Sequence, residues 1–591
     1  YVFAQIFAQC PSRRDAAYMS LRLYNIRFVP AALQYCKNDE EKEAVYTLCA
    51  IQPLQDALPL MKAIIKMNPN QAFLELIMVR EINKNEGYYY SAQNFVWGRD
   101  TTGDYEYRQQ SVSYFKNLGE FADQCANNHN IKEHAFWNTA AAYISYIEGN
   151  YKKANDYLTK ASEEPTNNLI LPQQIQLQKI LLLTANAKQM TPELEGKVVP
   201  ILVNLVDSNA NFYTGNAIFL ACQRLAAMYK AVVTTSKRSR GWLCNRPKIT
   251  PWEKYASAKS WLMAMFTTNQ FNRSGEVFTS NNDFNAMVDT TSNATLNNLI
   301  AYYSQPNPSS EDIQLMQTAH RLDLSYLGYS NDFAYPFIGL NYLYFIKGRK
   351  AISVFHYKEA AEAWWHVADS FWSKDPFKTY LAANSFVTAI IDVHASAKAD
   401  TVKYTPYQFA VRMQQLSENA KNDSSSAKDY YLLGCGAYNM SYYGNSWLLV
   451  KPNWSSGDLW LYNYYHQKDL VDSINYFSTN QAKIYFDRAM KVASNKELAA
   501  LACFMAAKCE QNQFYFYVKR DSTLSQMLTN GGGYGYPNRD GSPKLNTTLQ
   551  NIQNTKFHRY FNILKDKYSN SQFNKEVIRE CATYRDFVEG K

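Results

Sequence analysis

Glycine and proline are scarce in this chain, 22 and 19 among 591 residues. That excludes collagen-like and low-complexity classes and leaves room for long uninterrupted helices. The motifs of common chemistry are missing as well. No CxxC occurs, and no Cys/His set has zinc spacing, so no metal is expected. No HExxH, GxSxG or Walker-type GxxxxGK[ST] is present. Long hydrophobic runs are also lacking: Phe337–Ile346 and Ile180–Leu183 fall far short of a membrane span. No transmembrane span is expected, and membrane association only through an unseen N-terminal anchor. The chain begins at Tyr1 without Met, which points to a processed or unobserved N-terminus.

Charge of one sign is thin. Net charge is +9, from 61 basic and 52 acidic residues. The densest basic run, Lys237-Arg238-Ser239-Arg240, is too short for a nucleic-acid face, and no nucleic-acid partner is expected. Ten cysteines are scattered from Cys10 to Cys581. Cys503 and Cys509 lie about 120° apart around a straight helix, so they are poor partners for each other. Most of the ten read as small buried apolar residues, and the redox compartment stays open.

Aromatic residues are abundant: 46 Tyr, 31 Phe and 11 Trp. Tyrosine packs its ring and keeps its hydroxyl wet, which suits half-buried helix faces and contact surfaces. A compositional habit of the source explains the abundance equally well. With 591 residues the chain exceeds one compact core, so several domains or an extended array is implied.

Helix-favouring stretches dominate. His134–Ile147 followed by Tyr151–Ala161 is the clearest hairpin, with Gly149-Asn150 as its turn. Asp39, Glu40, Glu41 and Glu43 read as the charged start of a helix rather than a cation site. Further helices are expected over Ala57–Met67, Leu169–Ala187, Glu193–Val206, Asn216–Val233, Phe337–Lys347, Tyr357–Ser370 and Lys378–Ala397. The C-terminal set is Thr479–Val492, Lys496–Gln511, Lys556–Tyr568 and Gln572–Val588. The expected organisation is residues 1–235 as N-terminal helical repeats, 236–285 as an irregular boundary, and 286–591 as C-terminal repeats with aromatic insertions.

One spacing recurs. Ala154, Leu158 and Ala161 share a helix face at i, i+4 and i+7. Ala360, Trp364 and Val367 repeat it, and so do Ala482, Phe486 and Ala489. A small–large–small face repeated along a chain reads as stacked helix hairpins.

Gly149, Tyr151, Ala154, Leu158, Ala161 and Pro165 together resemble the second-helix signature of the tetratricopeptide repeat. The first helix departs from it, with Asn138 and Ala142 where that family favours Trp and Gly. Tyr357, Ala360, Trp364 and Val367 match partly, without the turn glycine. The resemblance implies an all-α fold, an elongated solenoid of tetratricopeptide-like hairpins with irregular aromatic-rich insertions. The stretches Val79–Gly87, Ala500–Tyr515 and Phe573–Val588 also resemble large helical-repeat proteins of Bacteroidota. That second resemblance implies a cell-envelope location, in the periplasm or at the outer-membrane surface as a lipoprotein, with a cytoplasmic location still open.

Three segments interrupt the helical rhythm: Tyr88–Tyr107, Asn439–His466 and Asn530–Lys544. Irregular insertions in a repeat protein are where function concentrates. They supply the candidate partner or ligand contacts Tyr89, Trp97, Trp447, Trp454, Trp460, Tyr464, Tyr534 and Tyr536. Trp454, Trp460 and Tyr464 either stack on a sugar or partner, or fold back as cover. Gly531–Gly535 lacks the Lys-Ser/Thr of a phosphate loop and reads as a connection between helices. His356 and His366 lie nearly three helical turns apart, too far to share a metal.

No catalytic residue and no cofactor is expected. The leading expectation is a non-enzymatic scaffold whose groove and loops bind a protein partner in a larger assembly. A SusD-like surface sugar- or nutrient-binding lipoprotein is the alternative, on the strength of chain length and aromatic loops. A helical carbohydrate-active enzyme is the third, since two placed carboxylates need no fixed spacing.

Overall fold

A computed structural model describes residues 1–20, 28–52, 56–92, 105–185, 187–207, 212–239, 250–267, 269–271, 277–279, 287–288, 290–321, 339–392, 400–452, 454, 471–530 and 547–590. The fold is all-α, with about 30 helices packed pairwise. Two three-residue strands, Asn269–Phe271 and Val277–Thr279, form the only sheet among the described residues. The chain separates into two compact units, Tyr1–Val277 and Phe278–Lys591.

In the first unit the hairpin forms where its residues demand it. His134–Ile147 and Tyr151–Glu163 pack against each other. Gly149 turns the chain at φ 78°, a left-handed conformation that glycine adopts without a Cβ penalty. The Asn150 side chain then accepts from the Lys153 amide and caps the second helix. Ala154, Leu158 and Ala161 are all buried on its inner face. Tyr105–Ala126 also packs on His134–Ile147, and Leu171–Ala185 packs on both hairpin helices. The acidic stretch near residue 40 is a helix start: Asn38 caps Asp39–Ala50 by accepting from Glu41 N.

Phe212–Ser239 contains a stretch, Ala217–Thr234, long and apolar enough by length and composition to cross a membrane. The apolar-run reading of the sequence missed it. In the structure this helix packs against Ala256–Thr267, Leu171–Ala185 and Pro192–Asp207. Its Arg224 donates to the Tyr146 hydroxyl at 2.7 Å.

The second unit is built on close aromatic–glycine contacts. Leu340–Ser353 pairs with Tyr357–Trp364. Trp364 lies so close over Gly348 that a Cβ there would stand 2.3 Å from the indole nitrogen. That nitrogen donates to the Phe345 carbonyl at 3.0 Å. Ala427–Asn439 pairs in the same manner with Asn480–Val492, where Phe486 covers Gly434. In these two faces of the second unit the large residue therefore seats on a glycine of the opposing helix, whereas the helix opposing Leu158 in the first unit carries no glycine. Gly348 stands as far before Ala360 as Ala142 stands before Ala154.

Four expected helices differ. The expected Tyr357–Ser370 helix ends at Trp364, which leaves Val367 of the expected face beyond it, and a separate short helix, Asp369–Trp372, follows. The expected Lys378–Ala397 helix is helical only at its start, in the short helix Phe377–Tyr380, before the chain runs on irregularly through residue 392. Distant side chains take its carbonyls: Asn439 Nδ2 donates to Ser385 and Val387, each at 2.9 Å, and Lys508 Nζ to Ala389 at 2.9 Å. Asn445 Nδ2 reaches the Asn384 carbonyl at 3.1 Å. A stretch rich in β-branched residues gains more from these bonds than from a helix. The expected Lys556–Tyr568 helix breaks before Arg559–Lys567, and Gln572–Val588 breaks at Cys581.

None of the nine described cysteines is in a disulfide, and Cys49, Cys125, Cys222, Cys435, Cys503 and Cys509 are buried. Burial pushes the Cys49 thiol up to about 11 and the Cys125 thiol up to about 12, which leaves both unreactive at neutral pH.

Candidate functional site

The expected contact residues separate into three groups. Trp97, Trp460, Tyr464, Tyr534 and Tyr536 lie outside the described residues. Tyr89 belongs to the helix Leu74–Ala92 rather than to an irregular insertion. Trp447 and Trp454 lie in the second unit and point inward.

Trp447 is 1% exposed, and its ring meets Tyr380 edge-on at 5.3 Å. It fills core and is not presented to a ligand, which corrects its place among the expected contacts. The Trp454 indole donates to the Tyr442 carbonyl at 2.8 Å and its ring stacks on Tyr442 at 5.5 Å. Of the two alternatives open in the sequence, the described geometry of Trp454 is the folded-back one. The start of the aromatic insertion is thus a buried latch. Ser446 Oγ bonds Ser385 Oγ at 2.7 Å, and Ser446 N donates to the Asn439 carbonyl at 2.8 Å. Gly444 is required there, because a Cβ would fall 2.2 Å from Asn439 Cα.

Two buried carboxylates, Glu195 and Glu81, and the partly buried Asp392 are likewise committed to donors. Glu195 accepts from Lys259 Nζ at 2.6 Å, from the Tyr229 hydroxyl at 2.7 Å and from Trp252 Nε1. Asp392 accepts from Lys508 Nζ and from the Tyr438 hydroxyl, the latter at 2.9 Å. Glu81 accepts from Lys84 Nζ at 2.7 Å and from the Tyr114 hydroxyl, and burial followed by the Glu81 charge raises the Tyr114 hydroxyl far above its ordinary value. Each carboxylate cross-links helices in the interior. Among the described residues no group of three or more His, Cys, Asp or Glu side chains is placed to hold a metal.

The surface of the second unit carries a different feature. Trp365 is 69% exposed, and it is the only exposed tryptophan among the described residues. Its ring lies 5.5 Å from that of Tyr407, in the first turn of Pro406–Asn422. The next residue, His366, stacks on Tyr344 at 4.4 Å. Thr405 and Gln408 form a capping box that fixes the helix start bearing Tyr407. Tyr344 sits on Leu340–Ser353, and Trp365 and His366 directly follow the end of Tyr357–Trp364. One tilted pair, Trp365–Tyr407, and one stacked pair, Tyr344–His366, thus stand at adjacent positions.

Sequence reasoning passed over Trp365, although a signal was there. Residues i and i+1 on a helix point about 100° apart, so a tryptophan following the face residue Trp364 stands off that face.

Compared with protein-family models, curated proteins and solved structures, the chain matches none.

Proposed function

We propose that this chain is a non-catalytic, tetratricopeptide-like helical scaffold of a cell-envelope assembly. It binds a protein partner through the Trp365–Tyr407 face. The observation that carries this reading is Trp365, 69% exposed on a hairpin made rigid by Trp364 over Gly348. Tryptophan and tyrosine are the residues that dominate binding energy in protein interfaces, and preorganised rings lose little entropy on contact. The glycine-seated small–large–small faces support a hairpin array, which offers extended surfaces to partner helices and peptides. Commitment of Glu81, Glu195 and Asp392 to internal donors favours this reading over the helical carbohydrate-active enzyme. The SusD-like reading leaned on Trp454 and Trp460, and the indole of Trp454 is engaged with Tyr442.

The test compares wild-type chain with Trp365→Ala as bait in envelope extracts from its own source. A partner retained stoichiometrically by wild type and lost by Trp365→Ala, with unchanged circular dichroism, supports the proposal. Equal retention by both overturns it.

A further inference from the structure

A cavity of about 540 Å³ opens in the second unit between the helices Val471–Ser478 and Lys496–Arg520, with Phe557 at its edge. Its volume suits a small ligand of one or two rings. Three amide side chains line it: Asn475, Asn480 and Gln513. Each offers two N–H donors and an oxygen acceptor on one rigid plane. The Gln513 amide is held in place, donating to Asn480 Oδ1 at 3.3 Å and accepting from Lys483 Nζ. Aromatic rings form the apolar part: Tyr517, 41% exposed, lies 5.7 Å from Phe557. Ser478, also in the wall, is 7% exposed, and its Oγ has no hydrogen-bond partner among the described residues. A buried hydroxyl in that state gains from any polar group brought into the cavity.

The charges around the cavity favour an anion. Arg520 lines it, with its guanidinium 5.6 Å from the Phe516 ring centre. Lys556 Nζ stands 5.2 Å from the ring centre of Tyr517, and Lys483 bonds Gln513. The one lining carboxylate, Asp521, already accepts from the Thr523 and Leu524 amides at 2.9 and 3.0 Å. Glu510, buried near Lys483, offsets part of this positive charge.

Amides for paired hydroxyls, a flat ring for a C–H face and a guanidinium for a carboxylate belong to one ligand class. We infer that this cavity binds an acidic sugar, a pyranose carrying a carboxylate. The site shares no residue with the Trp365 face, so it stands or falls separately from the scaffold proposal.

Calorimetric titration of the full chain with methyl glucuronide, methyl glucoside and acetate at low salt is the test. The glucuronide saturates one site, the glucoside binds about tenfold more weakly for want of the charged contact, and acetate gives no heat of binding. Arg520→Gln abolishes the preference for the acid, and Tyr517→Ala weakens both sugars. Should either variant lose its helical signal, the exposed Asn480→Ala takes its place and also weakens both. Trp365→Ala binds glucuronide as wild type does. Absence of saturable glucuronide binding, unchanged binding in Tyr517→Ala, or tighter binding of an acidic peptide such as acetyl-Glu-Glu-amide overturns the inference.

Discussion

Among the described residues each unit sets a buried lysine against a carboxylate, and the two pairs differ in how completely they leave water. In the first unit Lys259 and Glu195 have side chains 1% and 4% exposed. The ring hydroxyl of Tyr229 and the indole N–H of Trp252 complete the shell around Glu195. In the second unit Lys508 is 8% exposed but Asp392 is 24% exposed. Lys508 also bonds the Ala389 carbonyl, so it ties an irregular strand of chain to a helix as well as neutralising a charge. A dry pair is costly to break because the survivor has no water to turn to, whereas a half-wet pair leaves its carboxylate partly solvated.

The largest effect therefore belongs to Lys259→Met. It strands Glu195 and lowers stability by about 3–5 kcal/mol, read as the denaturant midpoint of the first unit's transition. A loss under 1 kcal/mol would show that Glu195 is neutralised in some other way. Lys508→Met costs less, about 1–3 kcal/mol, and equal losses in the two variants would break the comparison.

The smallest effect sharpens it from the opposite side, with a buried base that has no carboxylate. His558 packs between Phe561 and Phe587, with ring centroids at 5.4 and 4.8 Å, and its Nδ1 has no partner among the described residues. Burial lowers its pKa from 6.5 to about 4. Because the folded value lies below the unfolded one, the unfolded chain binds the proton first. Stability from His558 is complete above pH 6.5, declines as pH falls and levels off below about 4. Subtracting the pH–stability curve of His558→Leu from that of wild type isolates this slope. A flat difference between pH 6.5 and 4 would place the ring in water.

Legibility followed the range of the interactions involved. The hairpin of His134–Ile147 and Tyr151–Glu163 was readable because its turn glycine, its Asn150 cap and its Ala154-Leu158-Ala161 face all act within a few residues. So was the helix start behind Asn38. The stretch after Tyr380 was not, because Asn439, Asn445 and Lys508 reach it from far along the chain. Aromatic richness alone misled for Trp447, since it marks buried latches as readily as contact surfaces. At the candidate site, Trp364 was legible as the large residue of its face, but the outward direction of its neighbour requires the helix to be considered all the way round. The seat of Trp364 on Gly348 was hidden in a different way, because the two residues meet only when the hairpin closes.

The most direct measurement places a photo-crosslinking amino acid at position 365, and separately at Leu169, which is 95% exposed in the first unit. Irradiation in the intact source cell is followed by mass analysis of the adducts. The account predicts one dominant protein adduct from position 365 and none from position 169. No adduct at 365, or the same adducts at both positions, would contradict a partner that docks on the Trp365 face.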